Sequence, residues 1–331
     1  SASGDIVGEG TYIYDGVTHA EVTALEYAGH LARGGTAYVS LEPHSHQGKT
    51  PPCTEALIDA GIKRVVCPIE DPNPLVSGRG FETLRKTSVE VVIGILADEA
   101  SKLNEKFICW HRKQRPFVHL KLATSLDGRI SINNTVSTAL SSDAARHRVH
   151  ELRHEHDSIL IGGNTAIIDN PILTDRSGKP RRRPLVRVVL DNQLRLSAVS
   201  HLIATASETP TIVFTNSTDA GKLSVLRALG ATVVVSPMGG RDLNGVLAEL
   251  KSRGIQSVLV EGGSEIAGAF CDAKLVDKMT FITAPIIIGG SKAPVAIGGR
   301  GADSIAEAMR LTDMSITAFS DDIEITGYPA H

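Results

Sequence analysis

The sequence has few cysteines, few aromatic residues and no excess of basic charge. Its 4 cysteines are scattered over 331 residues, whereas a disulfide framework needs more of them in a smaller chain, so a reducing cytoplasm fits better. Lys and Arg number 34 against 37 Asp and Glu, a net charge of -3, and aromatic residues make up 4%. A protein that binds nucleic acid usually has a basic surface with interleaved aromatic rings, so we do not expect one here.

Long apolar runs are also missing. A membrane-spanning helix needs about 20 consecutive apolar residues, and neither such a run nor a signal peptide occurs in the sequence, so we expect no membrane segment. Hydrophobic residues make up 42% of the chain and charged residues 21%, which is enough apolar material for buried cores. The length predicts about two domains.

Strand-like and helical segments alternate in the first third, as in an α/β layer with a mainly parallel sheet. A polar helical stretch follows, and Pro116 then disfavours helix at Arg115. We therefore place a domain boundary between residues 114 and 115. Strands are predicted at 36–43 and 64–71, and helices at 19–34, 53–61 and 98–114.

The same alternation continues to the end of the chain. Nearly continuous runs of Val, Ile and Leu predict strands that are buried on both faces. The predicted strands are 118–125, 158–163, 184–191, 210–216, 232–237, 257–263, 278–290 and 322–328. The predicted helices are 141–156, 220–230, 243–254 and 264–277.

Two histidines, a glutamate and a cysteine in the first part match the chemistry of a zinc-dependent deaminase. His19 and Glu21 open a predicted helix, and Cys53 opens the next one, where a helix N-terminus favours a thiolate. His44 lies in the loop before Cys53, with His46 as its main rival for the metal. Zinc makes water nucleophilic near neutral pH, and a nearby glutamate can carry the proton. The alternative is that His44 and His46 are solvated and that Cys53 is a small core residue.

A second constellation lies at 258–270, where a strand, two glycines and a helix follow one another. The glycines allow a ligand to approach the backbone, and the helix N-terminus offers free N–H groups to a phosphate. The segment lacks the full Gly-x-Gly-x-x-Gly pattern and an acidic residue placed to bind a ribose. A purely structural glycine turn therefore remains open.

Both constellations occur within longer stretches that resemble the bifunctional riboflavin-biosynthesis deaminase–reductase family. In the first part these are HAEVTAL, YVSLEPHSHQGKTPPCTEALIDAGIKRVV and DPNPLVSGRGFETLR; in the second they are LKLATSLDGRIS, SSDAARHRVHELRHEHDSILIGGNTAIIDNPILTDR and VEGG. The resemblance implies an α/β protein of two domains. Residues 1–114 would form a cytidine-deaminase-like α/β/α layer domain, and residues 115–331 a dihydrofolate-reductase-like α/β domain.

For the first domain the resemblance implies one Zn²⁺ held by His19, His44 and Cys53, with water as fourth ligand and Glu21 as the catalytic residue. The family has cysteine at the His44 position, and histidine is also a good zinc ligand. His46, Lys49 and Asn73 would contact the pyrimidine nucleotide, although Lys49 could be an ordinary exposed lysine. The family also has a helix and an Asn-Pro turn before the segment where this sequence starts, so we expect deamination to be weaker than reduction.

For the second domain the resemblance implies NADPH as cofactor. The residues expected at the cofactor are Ala123, Ala139, Thr165, Asp169, Asn192, Gly263, Ser264, Glu265, Ile266, Ala267, Gly268 and Ala269. Those expected at the substrate are Ser137, Arg153, Leu173, Arg176 and Glu261. Two arginines suit a phosphate because guanidinium binds it through paired hydrogen bonds, although Arg153 could instead form a helix-surface salt bridge.

The implied activity consists of two successive steps of riboflavin synthesis on small phosphorylated pyrimidines. The first is hydrolytic deamination of 2,5-diamino-6-ribosylamino-4(3H)-pyrimidinone 5′-phosphate. The second is NADPH reduction of 5-amino-6-(5-phosphoribosylamino)uracil to the ribitylamino product. The alternative is a reductase whose first domain is a degenerate zinc-binding structural or dimerisation module. We further expect a cytoplasmic homo-oligomer.

Overall fold

Two separate sheets organise the chain. The computed structural model describes residues 1–12, 18–47, 51–136, 138–181 and 183–330. The chain divides into two compact units, Ser1–Gln114 and Arg115–His331, at the residue pair where the sequence predicts a domain boundary. Within the described ranges, no helix combines the length and apolar character needed to cross a bilayer.

The first unit contains a three-stranded parallel sheet in the order β1-β2-β3, flanked by helices. Its core consists of apolar residues from the helices and from the central strand, including Leu57, Val65 and Phe81. The elements are α1 (Ala20–Ala28), a 3-10 turn (Gly29–Ala32), β1 (Thr36–Tyr38), α2 (Cys53–Asp59), β2 (Arg64–Cys67), α3 (Arg79–Lys86), β3 (Glu90–Ile93), α4 (Ala97–Leu103) and α5 (Glu105–Arg112).

The second unit is built on a nine-stranded sheet in the order β11-β12-β10-β4-β9-β5-β6-β7-β8. The first part of the unit comprises β4 (Phe117–Ser125), α6 (Asp143–His154), β5 (Ser158–Gly162), α7 (Gly163–Asp169), β6 (Val186–Leu190), α8 (His201–Ala204) and β7 (Thr211–Thr215). The remainder comprises α9 (Ala220–Ala228), β8 (Thr232–Val235), a 3-10 turn (Gly239–Arg241), α10 (Leu243–Ser252), β9 (Ser257–Val260), α11 (Ser264–Asp272), β10 (Lys278–Ala284), β11 (Leu311–Phe319) and β12 (Asp322–Pro329).

The late strand β9 is inserted into the middle of this sheet. It pairs in parallel with β4 on one side, where Val118 is opposite Val258, and with β5 on the other, where Leu160 is opposite Val260. β12 is antiparallel to both β10 and β11, and the other pairings are parallel. The carboxyl ends of β4, β9, β5 and β6 therefore lie side by side along one edge of the sheet, where ligands usually bind in open α/β folds.

Several predicted elements are wrong in extent. The helix predicted over 98–114 is two helices, because the backbone leaves helical geometry at Asn104. The strand predicted over 278–290 ends at Ala284, and the left-handed backbone at Gly289 and Gly290 belongs to a loop. β3 and β11 were not predicted as strands. Seven of the nine residues of β11 are exposed, so this strand lacks the buried alternation that marks a strand in a sequence.

A buried arginine on β6 holds the loops beside the sheet together. Arg187 is fully buried, and burial lowers its pKa to about 10. Its guanidinium donates to Ile172 O (3.1 Å), Leu202 O (3.0 Å), Thr205 O (3.1 Å), Thr209 O (2.8 Å), Thr205 Oγ1 (2.9 Å) and Thr211 Oγ1 (3.0 Å). One cation thus satisfies several buried oxygens that would otherwise lose their hydrogen bonds.

We expect Arg187→Leu to lower the free energy of unfolding by about 3 kcal/mol or more, because it leaves several buried carbonyls unpaired. The matched control is Arg253→Leu, since Arg253 is partly exposed and pairs with Glu249 one helical turn away. That change should cost about 0.5 kcal/mol or less. Urea unfolding of both variants measures the difference, and equal stability would contradict the structural role of Arg187.

Candidate active sites

Three possible metal ligands converge in the first unit. His19 precedes α1, His44 lies in the loop after β1, and Cys53 is the first residue of α2. The ligand atoms of these three side chains all lie within 4.8 Å of one another, and tetrahedral zinc would hold such atoms about 3.4 Å apart. The first turn of α2 fixes the loop, because the backbone N–H of Thr54 donates to His44 O at 3.3 Å. The donor set therefore fits a zinc ion with small side-chain movements.

Glu21 lies beside this cluster and is hydrogen-bonded to Cys53. Burial raises the pKa of the Cys53 thiol, and the charge of Glu21 and this hydrogen bond raise it further. The thiol of Cys53 is therefore protonated and donates to the Glu21 carboxylate. A metal ligand must be a thiolate, so metal binding has to release this proton.

The structure separates His44 from its rival His46. The two rings are 5.5 Å apart between centroids, but the group of converging ligand atoms contains His44 and not His46. Asn73 lies in the turn before α3, where its side-chain oxygen accepts from Leu75 N at 3.1 Å. Lys49 lies outside the described residues.

Glu42 organises this site and was missed in the sequence, where it is the glutamate of the Leu-Glu-Pro segment. Its carboxylate is 3% exposed and accepts from the backbone N–H groups of Asp71 (3.1 Å), Gly78 (2.9 Å), Gly80 (2.8 Å) and Phe81 (3.4 Å). It thereby ties the loop that contains His44 to the loop that contains Asn73 and to the start of α3. A charged residue inside the apolar run that predicts a strand over 36–43 was the available signal.

The second unit has a cavity of about 880 Å³ at the carboxyl edge of its sheet. Most of the predicted cofactor residues line it: Ala123, Thr165, Asp169, Asn192, Gly263, Ser264, Glu265, Ile266 and Ala269. Gly162 and Gly262 allow β5 and the start of α11 to approach closely, since a Cβ at either position would lie within 3.0 Å of the Ile266 side chain. The N-terminus of α11 therefore faces the cavity.

Three of the predicted cofactor residues do not line this cavity. Ala267 is fully buried in the core. Gly268 packs against the backbone of Gly298, where a Cβ would lie 2.3 Å from the carbonyl carbon. Ala139 is exposed outside it. Ala267 and Gly268 lie on the faces of α11 that are turned away from the cavity. A seven-residue sequence motif does not indicate which side of the helix faces the ligand.

A buried ion triad forms one wall of the cavity. Glu261 directly follows β9 and receives two parallel bonds from Arg153, Nε to Oε1 at 2.8 Å and Nη2 to Oε2 at 3.0 Å. Lys121 on β4 lies 3.9 Å from the same carboxylate and also lines the cavity. The Arg153 salt bridge is therefore a buried one rather than one on the helix surface. Sequence reasoning missed Lys121, although a lysine inside an apolar strand is unusual.

The side chains of this triad shift one another's pKa. Burial alone would raise the pKa of Glu261, but Arg153 and Lys121 outweigh it and lower the value to about 2. Burial lowers the pKa of Lys121, an effect that the nearby Glu261 charge opposes. Arg153 and Lys121 are thus held on either side of one carboxylate.

Two of the remaining predicted substrate residues, Leu173 and Arg176, do not line the cavity. Arg176 is exposed, and its backbone N–H donates to His150 Nδ1 at 3.3 Å. Burial, then the charges of Arg153 and Arg176, lowers the pKa of His150, so both cations act on one ring. Leu173 is buried with a left-handed backbone at φ 51°, and Ser137 lies outside the described residues.

One α/β unit contains three possible metal ligands beside a glutamate, and the other contains a dinucleotide-sized cavity at the edge of a parallel sheet. These features define a two-domain enzyme. Residues 116–325 match the model of the RibD C-terminal domain. The riboflavin biosynthesis protein RibD of Bacillus amyloliquefaciens is 41% identical over 325 residues, which cover 98% of this chain and 87% of that protein. The chain belongs to the RibD family of riboflavin biosynthesis proteins.

Solved structures agree with this assignment. RibD of Acinetobacter baumannii superposes with a TM-score of 0.86 at 33% identity, covering 98% of this chain and 89% of that one. A diaminohydroxyphosphoribosylaminopyrimidine deaminase/5-amino-6-(5-phosphoribosylamino)uracil reductase of Thermotoga maritima has a TM-score of 0.84 at 35% identity, covering 98% and 88%. The predicted fold class, an α/β protein of two domains, is confirmed.

We expect acid to weaken the Glu261 ion triad. The folded-state pKa of about 2 lies below the ordinary value of 4.5, so the triad contributes stability that is present above pH 4.5 and lost as the pH falls towards 2. The difference in unfolding free energy between wild type and Glu261→Gln should shrink by about 2 kcal/mol between pH 6 and pH 3. Urea unfolding at several pH values measures it, and a constant difference would contradict the depressed pKa.

Proposed function

We propose that the chain catalyses two successive steps of riboflavin biosynthesis. The first unit would deaminate 2,5-diamino-6-ribosylamino-4(3H)-pyrimidinone 5′-phosphate with zinc, and the second would reduce 5-amino-6-(5-phosphoribosylamino)uracil with NADPH. The observation that carries the proposal is the convergence of His19, His44 and Cys53 beside Glu21 in a chain of the RibD family. The alternative of a reductase with a degenerate first domain is not favoured, because a degenerate site has no reason to keep this arrangement.

The first-unit donor set supports a zinc site with one open position. Two imidazoles and one thiolate are the ligands that Zn²⁺ prefers, and a catalytic zinc keeps a fourth position for water. When bound there, zinc supplies Lewis-acid activation of water near neutral pH. Thiolate formation at Cys53 also frees the Glu21 carboxylate from its hydrogen bond. Glu21 can then accept the proton of the water and deliver it to the leaving amine.

The second-unit cavity supports a bound NADPH that supplies the hydride. The N–H groups at the start of α11, around Gly263 and Ser264, would bind the pyrophosphate because a helix N-terminus attracts anions. Ala123 on β4 and Thr165 on α7 line the space to either side of them. The ion pair of Glu261 and Lys121 would mark the reacting end.

Lys121 is suited to protonate the sugar oxygen as the ribosyl chain is reduced. Its ammonium lies 3.9 Å from Glu261, and burial lowers its pKa, so it gives up a proton more readily than an exposed lysine. Arg176 and His150, next to Arg153, would bind the phosphate of the substrate through charge-assisted hydrogen bonds. A cytoplasmic homo-oligomer stays part of the proposal.

We expect purified protein to contain one zinc per chain, and Cys53→Ala and His44→Ala to lose it, because each removes one of three protein ligands. The matched control is His46→Ala, whose ring lies next to His44 but outside the ligand group. It should keep zinc and bind the pyrimidine more weakly. Elemental analysis measures all three, and full zinc in Cys53→Ala would rule out this ligand set.

We expect the two activities to be separable by single substitutions. Glu21→Gln should keep zinc and lose deamination by at least about 10²-fold, the contribution of a general acid–base residue, while reduction of the deaminated substrate continues. Lys121→Met should lower reduction and leave deamination unchanged. Ammonia release and NADPH absorbance, followed separately, measure each step. If either substitution lowered both activities together, the assignment of one site to each unit would be wrong.

A further inference from the structure

The cavity of the second unit has a cationic rim at the end away from Lys121. Two arginines line this end, Arg195 in the loop after β6 and Arg241 in the 3-10 turn before α10. Along the sheet edge, β4, which contains Lys121, is followed by β9, β5 and then β6. Three strand spacings of about 4.8 Å therefore separate the reacting end from the strand that leads to Arg195.

The side chain of Asn192 ties the two arginine-bearing segments to one corner of the cavity. Its Oδ1 accepts from the backbone N–H of Gly240 at 2.8 Å, next to Arg241, and Asn192 itself lies three positions before Arg195. Gly240 also packs directly on β6, where a Cβ would lie 2.7 Å from Leu190 Cβ. Both arginines therefore border the same rim.

In the described part of the chain, this rim contains one long ion pair, between Arg195 and the buried Asp191. The nearest acid is Asp191, whose Oδ1 lies 4.0 Å from Arg195 Nε. Asp191 is 2% exposed, and its Oδ2 accepts from the backbone N–H of Leu196 at 2.8 Å. Arg195 also donates to Asn164 Oδ1, and Arg241 is exposed and forms no ion pair with a described residue.

We propose that Arg195 and Arg241 bind the 2′-phosphate of NADPH and so select it over NADH; this inference rests on the proposed function of the second unit. The order of groups along the cavity matches that of an extended dinucleotide. Lys121 marks the nicotinamide end, the start of α11 lies between, and the arginine rim lies at the adenosine end. Guanidinium groups bind a phosphate monoester through paired hydrogen bonds, whereas a neutral ribose hydroxyl gains little from two cations.

The 5′-phosphate of the pyrimidine substrate is chemically the same kind of group. Its sugar, however, must place the reacting carbon beside Lys121, and one ribose is short compared with the three strand spacings to the rim. The cations near that end are Arg153 and Arg176, which lie close to His150. The cofactor phosphate is therefore the one that reaches Arg195 and Arg241.

The test uses the full chain and two nucleotides that differ only in the 2′-phosphate. Binding of 2′,5′-ADP and of 5′-AMP is measured by calorimetry for wild type, Arg195→Ala, Arg241→Ala and the double variant, with the exposed Arg310→Ala as matched control. Wild type should bind 2′,5′-ADP at least about tenfold more tightly, and each rim substitution should cost about tenfold or more, since hydrogen bonds between charged groups are the strong ones. Binding of 5′-AMP should not change, and Arg310→Ala should match wild type.

The outcomes separate this inference from the proposed function. Binding of the reduced cofactors NADPH and NADH is followed by their nicotinamide fluorescence. If NADPH binds but its preference over NADH survives in the double variant, the rim does not recognise the 2′-phosphate and the inference is overturned while the reductase assignment stands. A rim substitution that raises KM for the pyrimidine phosphate and leaves 2′,5′-ADP binding unchanged overturns it as well. If neither NADPH nor NADH binds wild type, the proposed reductase function itself fails.

Discussion

A buried carboxylate between two cations is the interaction on which the second unit depends. Glu261 joins three elements that are distant in the sequence, α6 through Arg153, β4 through Lys121 and β9 through its own backbone. Removing one partner of such a group leaves an uncompensated buried charge, which costs far more than an exposed ion pair. The wall of the cavity is therefore determined by charge pairing as much as by apolar packing.

The first unit also contains a buried carboxylate, which backbone N–H donors stabilise in place of cations. The carboxylate of Glu42 is buried against four N–H groups of the segment that leads into α3. An anion near the start of a helix is also favoured by the helix dipole. Because this carboxylate holds the loops of His44 and Asn73 together, the orientation of the candidate metal site depends on a residue outside the group of three ligands.

The sequence predicted the class of fold and the candidate residues much better than the pairing among them. His19 and Cys53 could be found because each opens a helix, and Gly263 because it follows a strand. Local patterns left His44 and His46 open because both lie in one loop, and only the family resemblance favoured His44. The pairing of Arg153 with Glu261 joins residues 108 positions apart, and local patterns carry no information about such a contact. β11 was missed for a related reason: its exposed residues have no buried face to produce an alternating pattern.

The position of β9 has a consequence for the order in which the second unit can form. β4 and β5 are synthesised early, but they do not pair with each other, because β9 lies between them. Until residues 257–260 have left the ribosome, each of the two strands presents an unpaired edge, and such edges are prone to wrong association. Pairings between distant segments also form slowly. The wall of the cavity at β9 can thus be completed only after β4 to β8 have been synthesised, and a chain that is cut short before β9 lacks the strand that joins β4 to β5 and leads into Glu261.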